Sequence, residues 1–435
     1  MPAASAEPHQ PAPPSRRAVS TPAPSRSAGR GLRRLLALLL PLLLGCAPPA
    51  EDPAASWDQA AAQQALDRWV AAAVAGDRAG FDAELSTADP GFAATADELF
   101  ANLEQLGRVE VELATERAEL RPGRAEVLGQ PAVVVRARAT WSTAGRPRPD
   151  ERLQGTVWLT WLVEDGRPRL AGTVDGPARP DAAVPHWWLE PVTVQRVGET
   201  SLLTGAGVDA DAWRRRTEQA VAAVAAADLD AARPEGPPPA VVVQVPSTSV
   251  VAGRVLGGDL AGRAAVTVAD PAGALPVVVD PAANLTGPAW RFLLTHELVH
   301  VRTASPASRS PRWLVEGLAE SVAREAQPDL APVTAEQADD AARLSGLPDE
   351  EQLAAEPGAA YLRCWVAVRL LQDRLGPVGL LDLVAQTARG APVEQRLRAA
   401  GWSEEELAAA VQGALADLAA GRDVASLRSG DGGAG

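Results

Sequence analysis

The chain has 435 residues, a length that predicts two or three domains and at least one large hydrophobic core. Acidic residues outnumber basic ones, and the formal net charge is −14. This charge argues against nucleic acids and anionic membrane surfaces as partners, so we expect no nucleic-acid binding.

The first fifty residues have the composition of an export signal rather than of a folded domain. Arginines lead into the apolar run LLALLLPLLL at 35–44, which is too short to span a bilayer but is typical of a signal peptide. The run ends in LLGC, which resembles the bacterial lipobox, in which a cysteine receives a lipid and becomes the new N-terminus. This resemblance implies a lipoprotein signal peptide at 1–45, a tether at 46–55, and an extracytoplasmic protein anchored to the bacterial cell membrane by a lipid on Cys46. The alternative is an ordinary secretory signal with a chance cysteine.

Cys46 and Cys364 are the two cysteines of the chain. If Cys46 carries a lipid, Cys364 has no partner, and no intramolecular disulfide is expected despite export. Cys364 lies in an apolar helical run, which favours a buried, unreactive thiol over a nucleophile.

Residues 56–176 are predicted to form an α+β domain. A capping box at Ser56 and Gln59 starts one helical pattern, and a second lies near 95–107. Apolar and polar residues then alternate in four runs separated by Gly, Pro and Asp turns, at 109–115, 131–141, 153–166 and 167–174. Helices followed by an antiparallel meander predict a cone or roll, and this order resembles the nuclear transport factor 2-like superfamily. Because no set of catalytic residues stands out, we expect an accessory or ligand-binding module.

A junction at 177–205 is predicted to precede a second domain at 206–420, and a tail at 421–435 is predicted to be disordered. In the junction, His186 stands beside two tryptophans, which favours packing between domains over an aromatic binding spot. The second domain begins with a helical pattern at 211–229. A small sheet and a helical C-terminal part should follow, with strands at 240–246, 264–268 and 275–280 and helices at 334–345, 358–374, 378–387 and 402–419.

The stretch RFLLTHELVHVRTA at 291–304 follows a Gly-Pro helix start. On a helix of 100° per residue, His296 and His300 lie about 40° apart and one turn apart. That spacing is the one that two ligands of a single zinc ion need. Glu297 lies about 60° from His300, where it can reach water held by the metal rather than the metal itself.

The segment SPRWLVEGLAESVAREA at 310–326 supplies a third ligand. Ser310 and Pro311 predict a helix N-terminus, and Glu316 and Glu320 share one helix face at i, i+4. The preceding loop is long enough for this helix to fold back and bring Glu316 to the metal. Two histidines and a glutamate leave the fourth position open to water, which is typical of a catalytic zinc site.

Together, HELVH and WLVEGLAES resemble the gluzincin metallopeptidases, especially the bacterial peptidase MA-like families with motifs HELxH and WLxEGxAxY. The resemblance covers roughly 240–390, and Ser321 stands where the family usually has tyrosine. It implies a zincin-like fold and one zinc ion, whose ligands would be His296, His300 and Glu316. Glu297 would be the general base, and Glu320 would orient a ligand histidine.

The same resemblance bears on the substrate. Residues 275–280 would be the edge strand along which an extended peptide lies. In gluzincins a tyrosine or histidine donates a hydrogen bond to the oxyanion, and Tyr361 is the candidate here, with core packing beside Trp365 as the alternative. The implied function is a membrane-anchored zinc metallopeptidase that hydrolyses peptide or protein substrates. The alternative is a non-catalytic, ligand-binding lipoprotein whose zinc domain is structural or idle.

Overall fold

The structure is a computed structural model, which describes residues 57–121, 123–143, 152–177, 182–233, 241–260 and 262–422. The predicted signal peptide, Cys46, the tether and the tail beyond Arg422 lie outside these ranges. Within them, fourteen α-helices accompany a four-stranded antiparallel sheet and a five-stranded mixed sheet, so the predicted α+β class is confirmed. Among the described residues, no helix combines the length and the hydrophobicity that a membrane span requires.

The first half of the described chain is a set of helices packed on an antiparallel meander. The helices are α1 (Gln59–Val74), α2 (Arg78–Asp82), α3 (Pro90–Glu104) and the short α4 (Arg124–Leu128). The strands pair in chain order as β1 (Leu106–Ala118), β2 (Val133–Thr143), β3 (Leu153–Glu164) and β4 (Arg167–Gly172). The predicted order of helices and then a meander is confirmed.

The start of α1 differs from the sequence prediction. The N-cap is Asp58, whose carboxylate accepts hydrogen bonds from the backbone N–H groups of Ala60 and Ala61, whereas the predicted cap, Ser56, lies outside the described residues. Helix α1 buries Trp69 against Phe81, and the core continues across β2 and β3 through Trp141 and Trp161. The same apolar cluster reaches Leu203 and Val242 of the second sheet.

The second sheet follows a short helix α5 (His186–Leu189). Its strands are β5 (Val192–Val197), β6 (Thr200–Gly205), β7 (Val241–Val245), β8 (Ala265–Thr267) and β9 (Leu275–Val279), in the spatial order β5-β6-β7-β9-β8. Strands β6, β7 and β9 are parallel, whereas β5 and β8 are antiparallel edges. Helices α6 (Ala210–Ala226) and α7 (Ser249–Leu256) connect these strands.

Three sequence predictions concern this sheet and the helix before it, and their outcomes differ. Residues 192–205, which were predicted as part of a junction, form the hairpin β5–β6. The prediction of 275–280 as the edge strand is wrong, because β9 pairs with β7 on one side and with β8 on the other. Every residue of β9 is buried, as expected of an internal strand, and the edge is β8. His186 is packed as predicted, fully buried with Nε2 2.8 Å from Glu190 Oε1.

The C-terminal part is helical, as predicted. It comprises α8 (Gly287–Thr303), α9 (Arg312–Glu325), α10 (Ala335–Arg343), α11 (Glu350–Ala355), α12 (Pro357–Ala388), α13 (Val393–Ala399) and α14 (Glu404–Ala419). The predicted stop at Gly376 and Pro377 is confirmed: Gly376 has the non-helical angles φ 71° and ψ 167°, so α12 consists of two helical segments that meet at a kink. The predicted capping box of Ser403 and Glu406 starts α14.

Helices α9 and α12 approach closely at Gly317. A Cβ at this position would lie 2.3 Å from the carbonyl oxygen of Cys364 and 2.5 Å from Val368 Cγ2. Cys364 is fully buried in the same contact, which confirms the prediction of a buried thiol. Glycine at 317 therefore lets the helix that carries Glu316 pack directly against α12.

Replacing Gly317 with alanine should lower the free energy of unfolding by about 1–3 kcal/mol, because the new methyl group forces α9 away from α12. Gly413 is the matched control, since it lies inside α14 and a Cβ there meets nothing within 4 Å. Gly413→Ala should raise the free energy of unfolding by about 0.5–1 kcal/mol, because alanine lowers the conformational entropy of the unfolded chain. Denaturant unfolding of both variants measures the contrast, and equal effects would contradict the packing role of Gly317.

Candidate metal centre

Helix α8 carries the first three site residues. It starts at an N-cap, Thr286, whose hydroxyl accepts a hydrogen bond from the backbone N–H of Ala289. The helix packs against α6, α9 and strand β8, so His296, Glu297 and His300 are all buried. The helical spacing therefore places two imidazoles and one carboxylate inside the protein on one segment.

Helix α9 brings the fourth residue. The chain leaves α8 through Ala304 in the left-handed region, with φ 52°, and a 3-10 turn at Ser305–Ala307 reverses its direction. The predicted N-cap at Ser310 is wrong, because α9 begins after Pro311 and the Ser310 hydroxyl instead lies 2.8 Å from Thr387 Oγ1. The predicted return of Glu316 to the histidines is nevertheless observed.

Three ligand atoms converge at one point. His296 Nε2 and His300 Nε2 lie 3.1 Å apart, and Glu316 Oε2 lies 3.1 Å from the first and 3.0 Å from the second. Tetrahedral zinc with bonds of about 2.0–2.2 Å separates its ligand atoms by about 3.3 Å, so the observed spacing fits such an ion closely. His296, His300 and Glu316 therefore form a buried group that could hold a metal ion.

Each ligand has a further partner that fixes its orientation. His300 Nδ1 lies 2.7 Å from Ser305 Oγ, and His296 Nδ1 lies 3.4 Å from Glu320 Oε2. When these Nδ1 atoms carry the ring protons, both Nε2 atoms keep a free lone pair for a metal. The remaining oxygen of Glu316 forms an ion pair with Arg312 at 2.5 Å, and Arg324 donates a hydrogen bond to Glu320 at 2.8 Å.

The electrostatics of the group favour a cation between the side chains. Burial opposes a charge on His296, but hydrogen bonds to Glu316 and Glu320 outweigh it and raise the pKa of its imidazole to about 10. Burial also opposes ionisation of Glu316, yet interactions with both histidines hold the pKa of this carboxyl well below its usual value. A proton and a metal ion therefore compete for the same imidazole nitrogen.

Glu297 lies beside the group without joining it. Its Oε2 accepts a hydrogen bond of 2.5 Å from the hydroxyl of Thr267, the last residue of β8. Its negative charge helps to raise the pKa of His296. The carboxylate is thus next to the three ligands and held by the edge strand.

Tyr361, on α12, also reaches the site. Its ring meets the His296 ring edge-on, with 5.7 Å between centroids and 89° between planes. Burial, together with the charges of Glu316 and Glu297, raises the pKa of its hydroxyl, which therefore stays protonated and can donate a hydrogen bond. The structure therefore brings Tyr361 next to the ligands. From this position its ring can pack on His296 while its hydroxyl donates a hydrogen bond.

Four contacts of the site were not predicted from the sequence, namely those of Ser305, Arg312, Arg324 and Thr267. Two of them have a sequence signal, because Arg312–Glu316 and Glu320–Arg324 are ion pairs at i, i+4 on one helix. Ser305 begins a short 3-10 turn after α8, and Thr267 lies thirty positions before Glu297, so no helical or strand periodicity reveals either contact.

No protein-family model matches the chain, and no curated protein sequence matches it significantly. The class of protein therefore rests on the site itself.

Glu320→Gln should weaken metal binding by about 10- to 100-fold, because the neutral amide is a poorer acceptor for His296 Nδ1–H. Glu325→Gln is the matched control on the same helix, since Glu325 is exposed and pairs only with Arg369, at 3.4 Å, among the contacts described. Zinc competition titrations with a chromophoric chelator measure both affinities. Equal affinity in the two variants would show that Glu320 does not support the ligand histidine.

Proposed function

We propose that the protein is a zinc metallopeptidase in which His296, His300 and Glu316 bind the metal and Glu297 is the general base. The observation that carries this proposal is a buried carboxylate that stands beside a three-ligand group without being a ligand. A closed structural site has no use for such a base, whereas hydrolysis requires one. When bound there, zinc would polarise the scissile carbonyl group and make water more acidic.

The protein's own groups would divide the remaining work. Glu297 would take a proton from the attacking water and deliver it to the leaving amine. Tyr361 would donate a hydrogen bond to the carbonyl oxygen as negative charge develops on it. Tyr361 contacts the ligand set through its ring on His296, and Glu297 interacts with His296 through its charge.

The substrate would be an extended peptide or protein segment that adds to the open side of β8. An edge strand has free backbone N–H and C=O groups that can pair with a further strand. Strand β8 ends at Thr267, which contacts Glu297, so a chain paired with Ala265–Thr267 would pass next to the base. We assign this role to β8 in place of residues 275–280.

The proposal includes the location predicted from the lipobox, namely an extracytoplasmic protein held on the bacterial cell membrane by a lipid on Cys46. Mass spectrometry of the membrane fraction should find that lipid. A Cys46→Ala variant that remains in the membrane fraction would contradict the anchor.

One observation favours the alternative of a ligand-binding lipoprotein with an idle zinc domain. A cleft of about 1070 Å³ lies between β3 and α7, with Trp158, Trp188 and Arg254 in its lining. Aromatic and cationic groups together suit a small organic anion. In this alternative, the cleft would bind its ligand and no peptide would be cleaved.

The test is hydrolysis of a mixed peptide library by the full-length, zinc-loaded chain, read by mass spectrometry. The peptidase should produce cleavage products that disappear when a zinc chelator is added and when Glu297 is replaced by glutamine. The absence of products from folded, zinc-loaded protein would refute a general peptidase and favour the ligand-binding alternative.

A further inference from the structure

The hydroxyl of Thr267 makes the one side-chain hydrogen bond that the described structure gives to Glu297. Thr267 Oγ1 lies 2.5 Å from Oε2 of the carboxylate and 3.2 Å from the backbone carbonyl oxygen of the same residue. A hydroxyl has one proton, and the shorter distance assigns it to the carboxylate. This bond ties the Oε2 end of the carboxylate to strand β8.

Threonine suits this task because its side chain is stiff. Branching at Cβ restricts its χ1 angle, whereas a glutamate side chain has three rotatable bonds. Without the hydroxyl, the carboxylate of Glu297 would have several rotamers available. A general base must lie within hydrogen-bond reach of the proton it removes, so its rotamer matters for turnover.

Strand β8 is too short to hold Thr267 rigidly by itself. It has three residues and, among the strands of the described ranges, a single neighbour, β9. The loop that joins the two strands is fastened to the first sheet: the Asp270 carboxylate accepts the backbone N–H of Gln154, the second residue of β3, at 3.0 and 3.1 Å. In addition, the N–H of Ala274 donates to the carbonyl oxygen of Arg152 at 3.4 Å.

We propose that Thr267 is a positioning residue for Glu297. The first sheet, bonded to Asp270, holds the β8–β9 hairpin so that the Thr267 hydroxyl stays within hydrogen-bond distance of the Glu297 carboxylate. The inference rests on the proposed function, because it takes Glu297 to be the base. It also gives the N-terminal half of the protein a role in hydrolysis that needs no ligand of its own.

The test replaces Thr267 with valine, which keeps the shape and removes the hydroxyl. In the full chain, kcat should fall about 10- to 100-fold while KM and zinc content stay near those of the unchanged protein, since a misplaced catalytic group costs turnover of that order. Thr267→Ser restores the hydroxyl and should recover kcat to within a few-fold. Thr193→Val is the matched control, because Thr193 is an exposed threonine on β5, the opposite edge of the same sheet.

Several outcomes would overturn the proposal. A Thr267→Val variant with unchanged kcat would do so. A Thr267→Ser variant with a kcat as low as that of the valine variant would also do so, as would an equal loss of kcat in the Thr193→Val control. Crystal structures of the full chain and its Thr267→Val variant provide a readout that needs no activity: the Glu297 carboxylate should move from its position or occupy several rotamers in the variant. If no peptide is cleaved by the unchanged protein, the peptidase proposal fails, and an unmoved carboxylate in these crystals would refute the positioning role separately.

Asp270 is tested by hydrogen exchange measured on peptides that cover residues 265–274. Asp270→Ala removes the acceptor for Gln154 N–H and should speed exchange in this hairpin and lower kcat. Asp270→Asn keeps one acceptor oxygen, so its exchange rate and its kcat should lie between those of the alanine variant and those of the unchanged protein. Unchanged exchange and unchanged kcat in the alanine variant would show that the first sheet does not hold the hairpin.

Discussion

Glu297→Gln is expected to lower kcat by about 100- to 10,000-fold, which is the range that a positioned general base contributes. The amide has nearly the same size as the carboxylate but cannot accept a proton from water. Because Glu297 is outside the group formed by His296, His300 and Glu316, the variant should keep its zinc. It should also keep its fold, since the amide oxygen can still accept the hydrogen bond from Thr267.

The measurement is steady-state hydrolysis of a peptide taken from the library, with zinc content determined by elemental analysis on the same samples. Glu325→Gln is again the matched control, as it makes the same chemical change at an exposed position of α9. If the Glu297 variant hydrolysed the peptide at the rate of the control, Glu297 would not be the base.

His296→Ala is expected to abolish stoichiometric zinc binding. Loss of a residue that only orients a ligand already costs about 10- to 100-fold in metal affinity, so loss of a ligand should cost more than about 100-fold. The change also removes hydrogen-bond partners from two buried carboxylates, Glu316 and Glu320. Each lost hydrogen bond to a carboxylate costs about 1.5–3 kcal/mol, so the variant should also unfold at a lower denaturant concentration.

His186→Gln separates these two effects. His186 is buried and bonded to Glu190, remote in sequence from the metal group, so its loss should reduce stability without removing zinc. Elemental analysis after gel filtration compares the two variants. A His296 variant that retained one zinc per chain would refute its assignment as a ligand.

The metal group was predictable because its geometry is mostly local. Helical periodicity alone places His296 and His300 on one side of α8, and the short connection to α9 limits where Glu316 can go. The observed atoms of these three residues lie within 3.1 Å of one another. The order of helices and strands in the first half was predictable for the same reason, since alternation over four runs defines a meander.

The edge strand and the role of Thr267 were not predictable in this way. Residues 264–268 and 275–280 both have strand patterns, and nothing within either run says which one has a second neighbour. That choice depends on β7, which pairs with β9 from more than thirty positions away. The contact between Thr267 and Glu297 requires β8 and α8 to be packed together, so it exists only in the folded chain.

The tight packing around Cys364 makes its thiol a reporter of local opening. The sulfur has no exposed surface, and burial raises its pKa well above the usual value, so an alkylating reagent can react only after α12 separates from α9. The rate of alkylation at Cys364 thus follows the transient separation of the helix that carries Glu316. Bound metal should link α9 to α8 and so make this separation rarer. The alkylation rate of Cys364 should therefore fall as metal occupancy rises.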